Sequence, residues 1–382
     1  MPATDHAPAR SPSPDRRWGT RDRLPAGGAR PPRACPLWPA HLRTPLRRHR
    51  GRIAMRAPDK MRYLNALRHV ESAEIPFFEM EIETTVAASI LGRPLPPVRP
   101  FEIPARDYVE LNLRAGNDMV FWSCIWELGR RNVLDGEGRK HYVDGTMKRR
   151  EDLANIEFPD LGEIRRRLEQ LLTAMEGTGM GLVYTPSQAP FIVMTAIGYQ
   201  DYYERLITDP AFIHEFQDRV HPHCMRELEM ALGYPIDSVQ VGAVLCGKGG
   251  PLTSRAMMEE FEFPTLRQRV LAAKAKGIPV SIHQDGNVSS LFPDFIAMGI
   301  DAINPIEPCD GEQDIYALKR VYGDRIALHG NIDLNLLAFG TRDEIAEDVA
   351  RHIAGLAAGG GYVCASSHNI TEAIPVGNFF AM

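Results

Sequence analysis

Nowhere in the 382 residues is there an unbroken apolar run of about 18 residues, so no stretch reads as a membrane span. The six cysteines (Cys35, Cys124, Cys224, Cys246, Cys309 and Cys364) are scattered and form no Cys-x-x-Cys pair. That argues against a structural zinc knuckle or a dithiol redox centre, and for a reducing, cytoplasmic setting. A basic surplus is missing as well: 44 Lys and Arg stand against 49 Asp and Glu, a formal net charge of −5. Nucleic acid and membrane are therefore not expected partners. Also lacking is a Gly-rich phosphate loop after the first apolar run, which passes into Glu81-Ile-Glu83-Thr-Thr. Gly177-Thr-Gly179-Met-Gly181 precedes an apolar run instead of following one, and reads as a turn.

Lysine is absent before Lys60, and residues 1–57 hold only Asp5, Asp15 and Asp22 as acids among many Arg and Pro. Such a segment has no periodicity to bury, and predicts a disordered extension before a single domain over 58–382. An over-long start, with Met55 or Met61 as the natural beginning, accounts for it better than a transit peptide, whose amphipathic helix the prolines oppose.

What the remainder does have is alternation. Eight short apolar runs, Ile75–Ile82, Asp118–Trp122, Met180–Tyr184, Ser238–Val244, Ile278–His283, Ala302–Ile306, Ile326–Leu328 and Tyr362–Ala365, are separated by segments of helical period. These include Tyr199–Leu206, Ala211–Leu232, Ser254–Lys276, Val288–Met298 and Arg342–Ala358, with capping residues at Asp201, Asp209, Ser254 and Thr341. Eight repeats of strand and helix predict a (β/α)8 TIM barrel, whose chemistry sits at the C-terminal ends of the strands. The segment after the last run, Pro375 to Met382, is short for a closing helix, so that helix is expected to be stunted or the chain cut.

Reading the strand ends gives the candidate site. Ile278-Pro-Val-Ser-Ile-His283-Gln-Asp285-Gly286-Asn287 ends a β-branched run in a histidine and a carboxylate two apart, hence on one face of a strand. Glu79, Glu81 and Glu83 share a face of the first run, where Glu79 falls among inner layers and would need a partner. Tyr184, ending the third run, is a possible proton donor, with Ser187 beyond it, and Ser366 and His368 follow the eighth. Gln240, Asn304, Glu307, His329 and Asn331 line or orient the pocket, and Trp122 and Trp126 offer an apolar wall.

The stretch from Gly250-Pro-Leu-Thr-Ser-Arg255 to Pro264, then Gly277 to Gly286, Ile303-Asn-Pro-Ile-Glu307, His329-Gly-Asn331-Ile-Asp333, Gly359 to His368 and Asp144-Gly-Thr-Met-Lys148 together resemble the uroporphyrinogen decarboxylase superfamily, from about residue 60 onward. That resemblance implies a barrel and either decarboxylation or methyl transfer. True decarboxylases of the family carry Arg-Gln-Ala-Gly-Arg after the first strand, to clamp substrate carboxylates; Glu79-Met-Glu81-Ile-Glu83 stands here, and would repel them. The family's thiol methyltransferases bind zinc through His-x-Cys on strand five and a cysteine after strand eight. The corresponding positions are His283, Asp285 and His368, a set able to hold zinc or another divalent metal. The acids often found before the Gly-Pro of the fourth loop are replaced by Ala243 and Val244, and Glu81 or Glu83 could supply a carboxylate in their place.

The resemblance thus implies a methyltransferase acting on a small methylated ether or amine, with His283, Asp285, His368, Glu81, Glu83 and Tyr184 as the reacting groups. A corrinoid protein would accept the methyl group in trans, since no Asp-x-His-x-x-Gly segment is present. The alternatives are a metal-free decarboxylase of a porphyrinogen or other carboxylated substrate, and a non-catalytic ligand-binding barrel. A homodimer is compatible with each.

Overall fold

A computed structural model describes residues 56–124, 126–136 and 140–382. The extension expected over residues 1–57 lies almost wholly outside the described residues.

The described chain is mixed α/β, built on a parallel sheet of seven strands. In chain order the strands are β1 (Met119–Ser123), β2 (Arg130–Leu134), β3 (Lys140–Gly145), β4 (Gly181–Thr185), β5 (Ser238–Gly242), β6 (Cys246–Gly247), β7 (Gly250–Pro251), β8 (Val280–His283), β9 (Ala302–Asn304), β10 (Ala327–His329) and β11 (Tyr362–Val363). The large sheet runs β1-β4-β5-β8-β9-β10-β11, while β2-β3 and β6-β7 are separate antiparallel pairs. The strands β1 and β4 are buried on both faces, which is why they read as apolar runs without alternation. Between them run helices such as Leu161–Met175, which buries Ile164, Leu168, Leu171 and Met175 along one stripe.

The first expected strand, Ile75–Ile82, forms no regular ladder. Phe77 bridges Cys364 and Ile82 bridges Ile370, both parallel, and Asp118 donates its N–H to Phe77 O at 2.9 Å on the other side. Two residues explain the irregularity. Pro76 has no N–H to give. At Glu79 the backbone is satisfied by a side chain: Asn117 Oδ1 accepts from Glu79 N at 2.9 Å and Asn117 Nδ2 donates to Glu79 O at 3.1 Å.

Three of the four expected caps are caps: the side chains of Asp209, Ser254 and Thr341 accept from Phe212, Met257 and Glu344 N–H groups. Asp201 is not one, because its helix starts at Tyr199 and the carboxylate pairs with Lys148 at 2.8 Å. The helix expected over Ser254–Lys276 is broken by a π-helical turn at Met258–Glu262, just before Pro264, whose missing N–H cannot continue an α-helical ladder. The final helix is six residues, Val376–Ala381, and buries Phe379 near Phe77.

Candidate functional site

The turn after β8 is held from all sides. Gln284, buried, accepts from Leu245 N at 2.6 Å and donates to Cys246 O at 3.3 Å; Gln313 donates to Gly286 O and Glu307 O and accepts from Val288 N. Glu307 Oε2 accepts from Gly286 N at 2.6 Å. Gly286 has φ +83°, and a Cβ on it would lie 2.5 Å from the Gly247 backbone, so the position demands glycine twice over. His283 and Asp285 are thereby presented at the strand mouth on a rigid turn.

A chain of hydrogen bonds sets which nitrogen of His283 carries its proton. His329 is buried and donates from Nε2 to Phe78 O at 2.8 Å, leaving Nδ1 as an acceptor. Burial, and the neighbouring charge of His283, hold His329 down to about 4, so it is neutral. Its Nδ1 accepts from Asn304 Nδ2 at 2.8 Å, which turns Asn304 Oδ1 toward Gln240 Nε2 at 3.2 Å and His283 Nδ1 at 3.0 Å. His283 must then donate from Nδ1, with Nε2 facing Asp285.

Asp285 lies between two imidazoles. His283 Nε2 is 3.6 Å from Oδ2 and His368 Nε2 is 3.6 Å from Oδ1. Both gaps exceed a hydrogen bond, and Oδ1 has no hydrogen-bond partner among the described residues. Burial pulls His283 down, but the Asp285 carboxylate, the Asn304 amide and Glu81 outweigh it and raise it. Asp285 also raises His368, against burial. Burial works against ionising Asp285, yet the two imidazoles draw its carboxyl well below the usual range. His283 and His368, with Phe78, Glu79, Asn304 and Ser366, line a cavity of only about 10 Å³, the room of a single water.

Glu81 joins this group. It is half-buried; burial raises it, and His283, Arg99 and His368 each pull it back. Glu79 is a positioning group: its oxygens meet Ser366 N at 2.5 Å and Ser366 Oγ at 2.7 Å, and the same hydroxyl contacts His368 O. One hydroxyl proton cannot serve two acceptors, so a donor is needed from Glu79 Oε2 toward Ser366 Oγ. Burial, pushing Glu79 up to about 8, supplies that proton at neutral pH and so fixes the His368 segment.

Several expected site residues are elsewhere. Tyr184 is fully buried and donates to Glu227 Oε1 at 2.7 Å on the helix Pro210–Ala231, and the Ser187 N–H donates to the same oxygen; Tyr184 faces the helix layer. Trp122 packs on Tyr184 with Arg167 over its ring, and offers no wall to the mouth. Trp126 lines a separate cavity of about 550 Å³ with Glu127, Met147 and Phe158. Asn331 is bonded to His352 on the helix Arg342–Leu356, at 2.8 Å. Glu83 is spent on Glu372 N at 2.7 Å, and Glu307 on the turn. Among the described residues no group of three His, Cys, Asp or Glu is arranged to hold a metal ion, the expected set of His283, Asp285 and His368 included.

Comparison with known proteins follows the same lines. The family described as uroporphyrinogen decarboxylase (URO-D) matches residues 132–382. This chain belongs to the uroporphyrinogen decarboxylase family. It is 24% identical over 249 residues to a uroporphyrinogen decarboxylase of Neisseria meningitidis, covering 62% of this chain and 67% of the relative, and 22% identical to one of Proteus mirabilis, covering 59% and 64%. A solved methyltransferase from Methanosarcina mazei has the same fold, with TM-score 0.66 and 18% identity over 84% of this chain and 96% of that one.

Within this family member, sequence reading passed over Gln284 and Gln313, and the hairpin β2-β3 with Arg130. The hairpin had a signal: Asp135-Gly136 between runs containing Val133 and Val143. The glutamines had none, since nothing in the sequence marks an amide as the clamp of a turn.

Proposed function

We propose that this family member transfers a methyl group from a small methylated ether or amine to a separate corrinoid protein, at the mouth of a closed eight-stranded (β/α)8 barrel. The observation that carries the reading is the His283–Asp285–His368 bracket, two raised imidazoles held 3.6 Å from one carboxylate at a strand mouth. When a methyl group leaves an ether, the C–O bond breaks with its electron pair on oxygen, and that oxygen needs a proton. The imidazolium of His283, oriented through Nδ1 by Asn304, presents Nε2–H for this purpose. Asp285 keeps both imidazoles charged until the proton is delivered, and His368 stabilises the emerging anion. A bound corrinoid would supply the nucleophile that takes the methyl group. Glu81 and Glu83 in place of the decarboxylases' cations support methyl transfer over decarboxylation. The decarboxylase reading is supported in turn by the names of the curated relatives.

The test is to supply the purified protein with cob(I)alamin and a panel of methyl ethers and methylamines, following methylcobalamin by absorbance, beside carbon dioxide release from uroporphyrinogen. Methylation that vanishes in His283→Gln is expected. Carbon dioxide release without methylation would replace this reading with the decarboxylase one.

A further inference from the structure

The cavity of about 550 Å³ that Trp126 and Phe158 line is of the size small-molecule sites have, and it shares no residue with the cavity lined by His283 and His368. Its two rings are 5.3 Å apart and inclined at 41°, and both pack against His223 on the helix Pro210–Ala231, with ring centroids at 5.4 and 5.1 Å. Burial lowers His223, so the imidazole backs the rings without charge. Phe158 remains 45% exposed, which leaves aromatic surface open to a ligand.

The polar part of this lining accepts more than it donates. It carries Glu127, Asp152 and Glu157 and no lysine, arginine or histidine. Glu127 is paired with Arg99 and Lys140, and Asp152 with Arg149, the three cations lying outside the lining. Glu157 is exposed and forms no ion pair or side-chain hydrogen bond among the described residues. The indole N–H of Trp126 is spent on Glu157 O at 3.1 Å, which fixes the Glu157 backbone beside the aromatic pair, and the Thr146 hydroxyl is spent on Gly129 O at 2.9 Å. A bare metal ion is a poor match, since no group of three His, Cys, Asp or Glu among the described residues is arranged to hold one.

We propose that this cavity binds an organic cation carrying a substituted ammonium group, its charge over the faces of Trp126 and Phe158 and countered by Glu157. Aromatic faces attract the diffuse charge of an alkylated ammonium. The apolar walls of Leu128, Met147 and Pro159 accept its alkyl groups, a contact that a hydrated inorganic cation cannot use. The site is separate from the mouth and does not depend on what reacts there.

The experiment is calorimetric titration of the full-length protein with choline, with dimethylbutanol as its uncharged carbon isostere, and with calcium chloride. Choline is expected to bind at least about tenfold more tightly than the alcohol or calcium. Phe158→Leu, at an exposed position, should melt with the native protein and weaken choline by about twofold to thirtyfold. Glu157→Gln should weaken it by about threefold or more and flatten its dependence on salt. His283→Gln should bind choline as the native protein does, so loss of methyl transfer in that variant and loss of the cation in the cavity variants are read separately. The proposal is overturned by equal binding of choline and the alcohol, by no choline binding, by calcium binding more tightly, or by Phe158→Leu and Glu157→Gln proteins that keep the native affinity. Loss of choline binding in His283→Gln would overturn it as well, by placing the cation at the mouth.

Discussion

Glu227 and Asp285 each stand beside a side chain that can hold a proton, and the two places are built differently. Glu227 meets Tyr184 at 2.7 Å between sheet and helix, both fully buried, with the Ser187 N–H on the same oxygen. Asp285 meets His283 and His368 at 3.6 Å, half-exposed at a strand mouth, with an oxygen still unbonded. The first pair is consumed by the fold; burial and Glu227 push Tyr184 far above the usual tyrosine range, so it releases no proton. The second leaves gaps a substrate atom can enter. Spacing and exposure separate the two places as much as the change from tyrosine to histidine does.

The sharpest break of this comparison is substitution on each side. His283→Gln is expected to lower turnover by about 10²- to 10⁴-fold with little change in melting, as loss of a positioned proton donor does. A variant that keeps its rate would move the chemistry away from the bracket. Next in size is Glu79→Gln. Because its carboxyl is raised from 4.5 to about 8, the native fold favours the protonated form, and stability should fall as pH climbs between those values. The amide introduced by Glu79→Gln can accept from Ser366 N and donate to Ser366 Oγ at any pH. Denaturant unfolding above pH 8 should therefore show this variant more stable, on the order of 2 kcal/mol, with a flatter pH profile. Tyr184→Phe should leave turnover nearly unchanged and destabilise by about 1–3 kcal/mol, since Glu227 loses its buried donor. A large loss of rate without loss of stability would erase the distinction between the two regions. Smallest is Glu307→Gln, which weakens one charge-assisted bond to Gly286 N and should cost about 1 kcal/mol, read as a shifted melting temperature.

The sheet and the position of the mouth were legible because parallel strands buried on both faces leave apolar runs that end in turn residues. The same burial hid parity: Leu182, Val183 and Tyr184 are all inside, so nothing in that run says which side of the sheet Tyr184 faces. Trp122 was misplaced for the same reason, and Asn331 because its partner His352 is 21 residues away. His283 and Asp285 were legible from their spacing of two and from Gly286. The first strand's irregularity was not, because it depends on Asn117, 38 residues from Glu79, substituting a side-chain amide for a ladder.

The pH behaviour of the bracket follows from its charges. Both histidines are raised above 6.5, so the attraction to Asp285 is fully present below that value and is lost as pH rises through the raised ones. The most direct measurement is an NMR titration of the His283 and His368 imidazoles in the native protein and in Asp285→Asn. Both should titrate above 6.5 in the native protein and drop together in the variant. Ordinary titration of both in the native protein, unmoved by removing the carboxylate, would contradict the account.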